Sequence, residues 1–266
     1  MSLHDAYARL TPFEVAFPDQ EALRELLAAV TAEATERGLD VTDLESFMRL
    51  TAGGDFVRGL RAADAPPETL VPFSALLFHA LHFLRADRPL FLLDTEAVRR
   101  LVADAPGGAP EPPAPAGYLQ LPQHLVWMGG GEGGQPESLD GLFWTVSEGG
   151  RLLVLAITGL RPDRPGFGTV ALPEAPLADA ASWLDAPVRR EGDDFATTLP
   201  GGELDALIGV EVAGELLKLL ARFFAHVSAA EATPTVPRVP QRAPGNGTPE
   251  GPRASALPYA RVTLAQ

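Results

Sequence analysis

The sequence predicts an α+β fold: a helical N-terminal half, an antiparallel sheet at about residues 118–172, a long helix at about 203–228, and a disordered tail. Three observations carry that reading. Apolar residues recur at helical spacing through the first hundred positions. From Tyr118 the pattern changes to short apolar runs ending in aromatic rings, separated by Gly and Pro. A second helical stripe, Leu204, Leu207, Ile208, Val212, Leu216, Leu219, Leu220, Phe223 and Val227, comes late in the chain, with Glu211, Glu215, Lys218 and Arg222 between its members.

In the first half, FPDQEALRELLAAVTAEATERG places Asp19 at an N-cap and Gly38 at a C-terminal stop, with Leu23, Leu26, Leu27 and Val30 on one stripe. TDLE at 42–45 fits a capping box before Phe47, Met48 and Leu50. A short helix is expected around Phe56 to Leu60. LVPFSALLFHALHFLRAD is apolar on nearly every side, as a buried helix is, starting near Glu68 or Pro72 and stopping before Pro89. Leu90 to Leu93 reads as a short strand or extended approach, after which Asp94 or Thr95 caps a helix carrying Val98, Leu101 and Val102.

APGGAPEPPAPAG, 105–117, is a Pro/Gly linker that cannot sustain a helix. Beyond it, Tyr118 to Met128 reads as a strand region with a break at Pro122. Gly141 to Ser147 and Arg151 to Thr158 read as a hairpin around SEGG, and Phe167 to Leu172 as a further strand. LADAASWLDA fits a short helix. Residues 231–258 hold too little apolar surface to offset their ordering entropy, which predicts disorder. The final YARVTLAQ can dock as a strand or a bound peptide. The expected organisation is one α+β domain, residues 1–230, followed by a Pro-rich flexible tail, 231–266. Within the domain, helices occupy 1–104, the linker 105–117, and the sheet with its late helix 118–230.

Composition narrows the function classes. The chain has 266 residues, a formal charge of −14 and no cysteine, so disulfides and thiolate chemistry are excluded. That charge disfavours broad attraction to nucleic acid or anionic membranes. The opening MSLHDAYARL lacks a basic stretch followed by an apolar one, and the apolar run Leu70 to Leu84 is too short to cross a bilayer. A cytoplasmic protein is expected, with no cofactor.

Candidate chemistry is sparse. Gly129, Gly131 and Gly134 satisfy G-x-G-x-x-G, but Pro136 and Leu142-Phe143-Trp144 follow where a phosphate cradle needs a helix N-terminus. His79 and His82, at i and i+3, can share a helix side and hold zinc or iron with a third ligand such as Asp87 or Asp94. Core histidines are the bland alternative. His124 has no recognisable nucleophile around it, because G-x-S-x-G is absent. Asp140 and Asp193-Asp194 look like turn residues. Arg161 and Arg164 bracket a tight loop that could bind an anion such as a peptide carboxylate; a solvated loop with Asp163 as neighbour is the bland alternative. Adjacent Phe143 and Trp144 must point to opposite faces of a strand. If Phe143 turns inward, Trp144 is either an exposed anchor or is covered by another helix. Tyr118, Trp127, Trp144, Arg161 and Arg164 are therefore the candidate partner contacts.

The order of FLLDTEAVRRLVADAP, a Pro-rich spacer, YLQLPQHLVWM, a gap and LDGLFWTV resembles the core of a family of anti-CRISPR proteins. Its best-known member inhibits the type V-A CRISPR nuclease. The shared pattern spans about seventy residues, and Tyr118, Leu121, Pro122, Gly141, Phe143 and Trp144 match it as scaffold. The resemblance implies recognition without catalysis, directed at the N-terminal peptide of a nascent target. This chain departs from it at the C-terminus, where it has arginines but neither the tryptophan nor the histidine of the family member's basic segment. Three functions are expected in descending order: a peptide- or protein-binding regulatory module, a metal-dependent enzyme built on His79 and His82, and an assembly protein docking through its tail.

Overall fold

A computed structural model describes residues 8–17, 19–52, 70–103, 111–128, 136–160, 167–172, 174–179, 208–210, 213–229, 255 and 257–262. The chain is mixed α/β with a mostly antiparallel sheet. Six helices occur among the described residues: α1 Pro12–Ala16, α2 Gln20–Arg37, α3 Leu44–Ala52, α4 Leu70–Arg85, α5 Thr95–Ala103 and α6 Ala213–Ala229. The nine strands among them are β1 Leu90–Leu93, β2 Ala116–Gln120, β3 Val126–Met128, β4 Glu137–Val146, β5 Arg151–Thr158, β6 Gly168–Ala171, β7 Ala175–Pro176, β8 Ile208–Val210 and β9 Ala260–Val262.

The helix ends follow local chemistry. Asp19 accepts from the backbone N–H of Glu21 and Ala22, and Gly38 closes α2 in a left-handed conformation (φ 64°) that only glycine adopts without strain. Asp94 caps α5 by accepting from Ala97 N at 2.7 Å. The expected capping box at TDLE does not form. Asp43 accepts from Ser46 N, one residue later, while Thr42 bonds back to Asp40. The capping box lies instead in TPFE, where Thr11 and Glu14 satisfy each other's backbone N–H around α1.

The sheet runs β6-β5-β4-β2-β1-β9, with β3 bridging β4 and β8 and β7 beside β5. β4 pairs antiparallel with β2 and β5; β1 pairs parallel with both β2 and β9, and β3 pairs parallel with β8. One correction to the sequence reading follows. Residues 208–210 form a strand and α6 starts only at Ala213, because parallel pairing with β3 captures Ile208 from the apparent helical stripe. Ala260–Val262 is a strand of the sheet, one of the two arrangements expected for YARVTLAQ. Tail residues 231–254, 256 and 263–266, the helix expected around 56–60 and most of LADAASWLDA lie outside the described residues; Leu177–Asp179 form a single 3-10 turn.

Both faces of the central strands are buried, so the sheet separates two cores. Phe143 and Tyr118 pack with Phe13, Leu27, Phe78 and Phe83 of the N-terminal helices. Trp144 packs with Phe91, Leu101, Phe223 and Phe224, on the side of α5 and α6. The opposed pair thus divides as strand alternation requires, and α6 covers Trp144. That helix is buried from Leu216 to Phe224 and includes Lys218 and Arg222 from its expected polar face. Arg222 Nη1 donates to the carbonyls of Leu101 and Val102 at 2.8 and 2.9 Å, at the end of α5 where carbonyls lack helical partners.

The Trp144 indole lies across the β2 backbone at Gly117 and donates from Nε1 to Ala114 O at 3.0 Å. A Cβ on Gly117 would fall on the indole carbons, whereas one on Gly149 meets only the Ser147 hydroxyl at 3.8 Å. Gly117→Ala should cost about 1–3 kcal/mol of unfolding free energy by overpacking, and Gly149→Ala less than about 0.5 kcal/mol; urea denaturation checks both.

Candidate functional site

The densest polar cluster lies where the N-terminal segment crosses the β2–β4 pair. β4 bulges between Leu139 and Gly141, and the skipped residue, Asp140, is only 2 % exposed. Its Oδ2 accepts from Leu160 N at 2.7 Å, and Arg9 Nη2 stands 3.7 Å from its Oδ1. Arg9 Nη2 also donates to Leu121 O at 2.8 Å. The Gln120 amide grips the Arg9 backbone at both ends, accepting from its N–H at 2.7 Å and donating to its carbonyl at 3.2 Å. Tyr118 stacks on Phe143 with centroids 4.2 Å apart, and its hydroxyl has no hydrogen-bond partner among the described residues. Burial pushes Asp140 up to about 6 against the opposing pull of Arg9 and the Leu160 N–H, and pushes Tyr118 well above its ordinary value. Chemically this is an acid, a cation and a phenol in one place. All three are buried, and the hydrogen bonds of Arg9 clamp residues 8–10 onto the sheet.

His79 and His82 lie on one helix in different surroundings. His79 is buried against the sheet, its Nδ1 3.0 Å from Thr145 Oγ1. His82 packs on Phe78 at 4.6 Å, near Asp40 and Arg85, with its Nε2 buried and without a hydrogen-bond partner among the described residues. Among the described residues no group of three His, Cys, Asp or Glu side chains is arranged to hold a metal ion. Burial lowers His79 to about 3, and burial with Arg85 nearby lowers His82 to about 4.

The candidate partner contacts separate sharply. Tyr118 and Trp144 are wholly buried, which corrects their reading as contacts: tight packing on Phe143 and on Phe223 and Phe224 leaves neither ring a surface to offer. Arg161 and Arg164 lie outside the described residues. Trp127 remains. It sits half-buried on β3, and its ring stacks on exposed His124 with centroids 5.9 Å apart. His124 adopts a left-handed backbone (φ 60°), a conformation that costs a non-glycine residue about 1–2 kcal/mol. That turn directs its carbonyl to the indole N–H at 2.9 Å and its own N–H to Ser138 Oγ at 3.1 Å. These contacts fix the orientation of the indole. Half-buried Met128 follows it, and β3 then pairs antiparallel with β4 on the far side of the glycine-rich segment, so a strand stands where a phosphate cradle needs a helix.

A shallow groove of about 480 Å³ lies between α2 and α4, floored by Leu27, Leu81 and Leu84 and flanked by Arg24 and Arg85. It offers apolar contact and no paired acid and base. No helix among the described residues is long and apolar enough to cross a membrane. No protein-family model, curated protein or solved structure matches the chain.

Opposed proton linkage follows from these buried groups. The unfolded chain binds protons at the two histidines near pH 6.5 while the folded one resists to about 3 and 4, so their stability contribution, full above 6.5, is lost as pH falls. Asp140 acts oppositely. Its folded value of about 6 exceeds 3.8, so its contribution is full below 3.8 and lost as pH rises through 6. Urea midpoints should fall from pH 7 to 4; His79→Asn should flatten that slope and Asp140→Asn steepen it.

Proposed function

We propose that this protein is a non-enzymatic peptide- or protein-binding regulatory module whose contact surface centres on Trp127. The observation that carries the reading is the preset indole: an aromatic ring held at the surface by a hydrogen bond, a stacked imidazole and a left-handed turn. Tryptophan is enriched at the energetic centres of protein interfaces because it brings large apolar area and one donor at little rotamer cost. Pre-fixing the ring lowers the ordering cost of association further. Among the described residues, Arg9 and Asp140 are buried and no third metal ligand joins His79 and His82, which favours a binding role.

The resemblance to the anti-CRISPR family gives this module a setting and a ligand class: a defence or mobile-element context, and the N-terminal peptide of a target protein. An array of bacterial N-terminal peptides should retain the wild-type protein on a subset of sequences. Trp127→Ala should weaken those interactions by about 30-fold, the loss that truncating an interface anchor worth about 2 kcal/mol produces, with the far-ultraviolet circular dichroism unchanged. Retention on no peptide, or equal retention by both proteins, would sink the proposal.

A further inference from the structure

The outer strand of the sheet comes from the far end of the chain. β9 lies parallel to β1 in the register Phe91↔Ala260, Leu92↔Arg261, Leu93↔Val262, and residues 230–259 separate it in sequence from α6. Its flanks serve both cores. Leu257 and Tyr259 pack on the side of the N-terminal helices, whereas Ala260 and Val262 pack on the side of α5 and α6. Ser255 anchors the segment: its N–H donates to Ala8 O at 2.9 Å and its hydroxyl to Glu14 Oε2 at 2.8 Å. The same Glu14 oxygen accepts from Thr11 N at 2.8 Å in the α1 capping box. A main-chain ladder with side chains entering pockets on alternate faces is how an added strand is recognised as a ligand. Here the chain supplies that ligand itself.

We propose that the outer edge of β1, with residues Ala8 to Glu14 beside it, is a strand-acceptor site that residues 255–262 fill as a built-in competitor. Its partner is an extended segment of another protein bearing a hydroxyl residue, an aromatic four positions on and a β-branched residue three beyond. Among the described residues three backbone pairs join β9 to β1, at the margin of the sheet, where local opening is easiest. Exchange of β9 between two copies repeats the same contacts and adds none at this edge, while a tethered strand competes at an effective concentration on the order of millimolar. At micromolar protein the chain therefore fills its own site, and a foreign segment enters only by binding better than β9. The site lies on a different strand from Trp127, so the two proposals stand or fall separately.

The test uses the full-length chain, a Tyr259→Asp/Val262→Asp double variant, and a fluorescein-labelled peptide of residues 253–266 read by anisotropy. The double variant should bind the peptide at least tenfold more tightly than wild type, and a peptide carrying the same two aspartates should not bind. Equal affinity for both proteins, or no binding to a folded double variant, would overturn the proposal. Should the double variant fail to fold, hydrogen exchange on wild type decides: residues 260–262 and their β1 partners should exchange together and ahead of β4 and β5. Protection equal to that of β4 and β5 would overturn it. A concentration-dependent wild-type dimer, lost when β9 is altered, would overturn the foreign partner in favour of exchange between copies.

Discussion

The burial of both faces of β4 is the constraint on which the rest of the structure depends. Successive side chains of a strand point oppositely, so a run such as Gly141-Leu142-Phe143-Trp144 leaves a bulky apolar ring on each side of the sheet. Neither can stay in water without losing roughly 1.5–3 kcal/mol of transfer free energy. Helices must therefore cover both faces: α1 to α4 over Phe143, and α5 and α6 over Trp144. Gly117 and Gly141 belong to the same solution. Each leaves room for a neighbouring ring, the Trp144 indole over one and the Tyr118 phenol over the other, where a methyl group would collide.

Much of this is written in local sequence, and its limits are physical. The caps of α2 and α5, the hairpin of β4 and β5, and the opposed placement of Phe143 and Trp144 depend on neighbours a few residues apart, so pattern and turn chemistry reveal them. β8 and β9 depend on parallel partners more than eighty residues away, and no local signal marks such pairing. Ile208 fits a helical stripe equally well until β3 claims it. Asp140 precedes a glycine and so reads as a turn residue. Only the bulge, which skips it in the register with β5, turns it inward to Leu160 and Arg9. The site was legible to the same degree: Trp127 was visible as a ring ending an apolar run, but the positive φ of His124 that presets it has no signature in composition.

Function then follows from which polar and aromatic groups the fold seals and which it presents. The acid, the cation and the phenol around Asp140 close the N-terminal segment onto the sheet, with backbone acceptors and a side-chain amide taking up Arg9. The imidazole of His79 lies against Thr145, committed to the scaffold. What reaches the surface on β3 is a ring with a fixed orientation. The contact role we propose rests on that ring, while the polar groups described at Arg9, Asp140 and His79 are buried.

The most direct measurement of that division is fluorine NMR of protein labelled with 5-fluorotryptophan, its three resonances assigned by single Trp→Phe variants and each tested for solvent isotope shift. The Trp144 resonance should show none and the Trp127 resonance a clear one. A solvent-exposed Trp144, or a Trp127 sealed from water, would contradict the account.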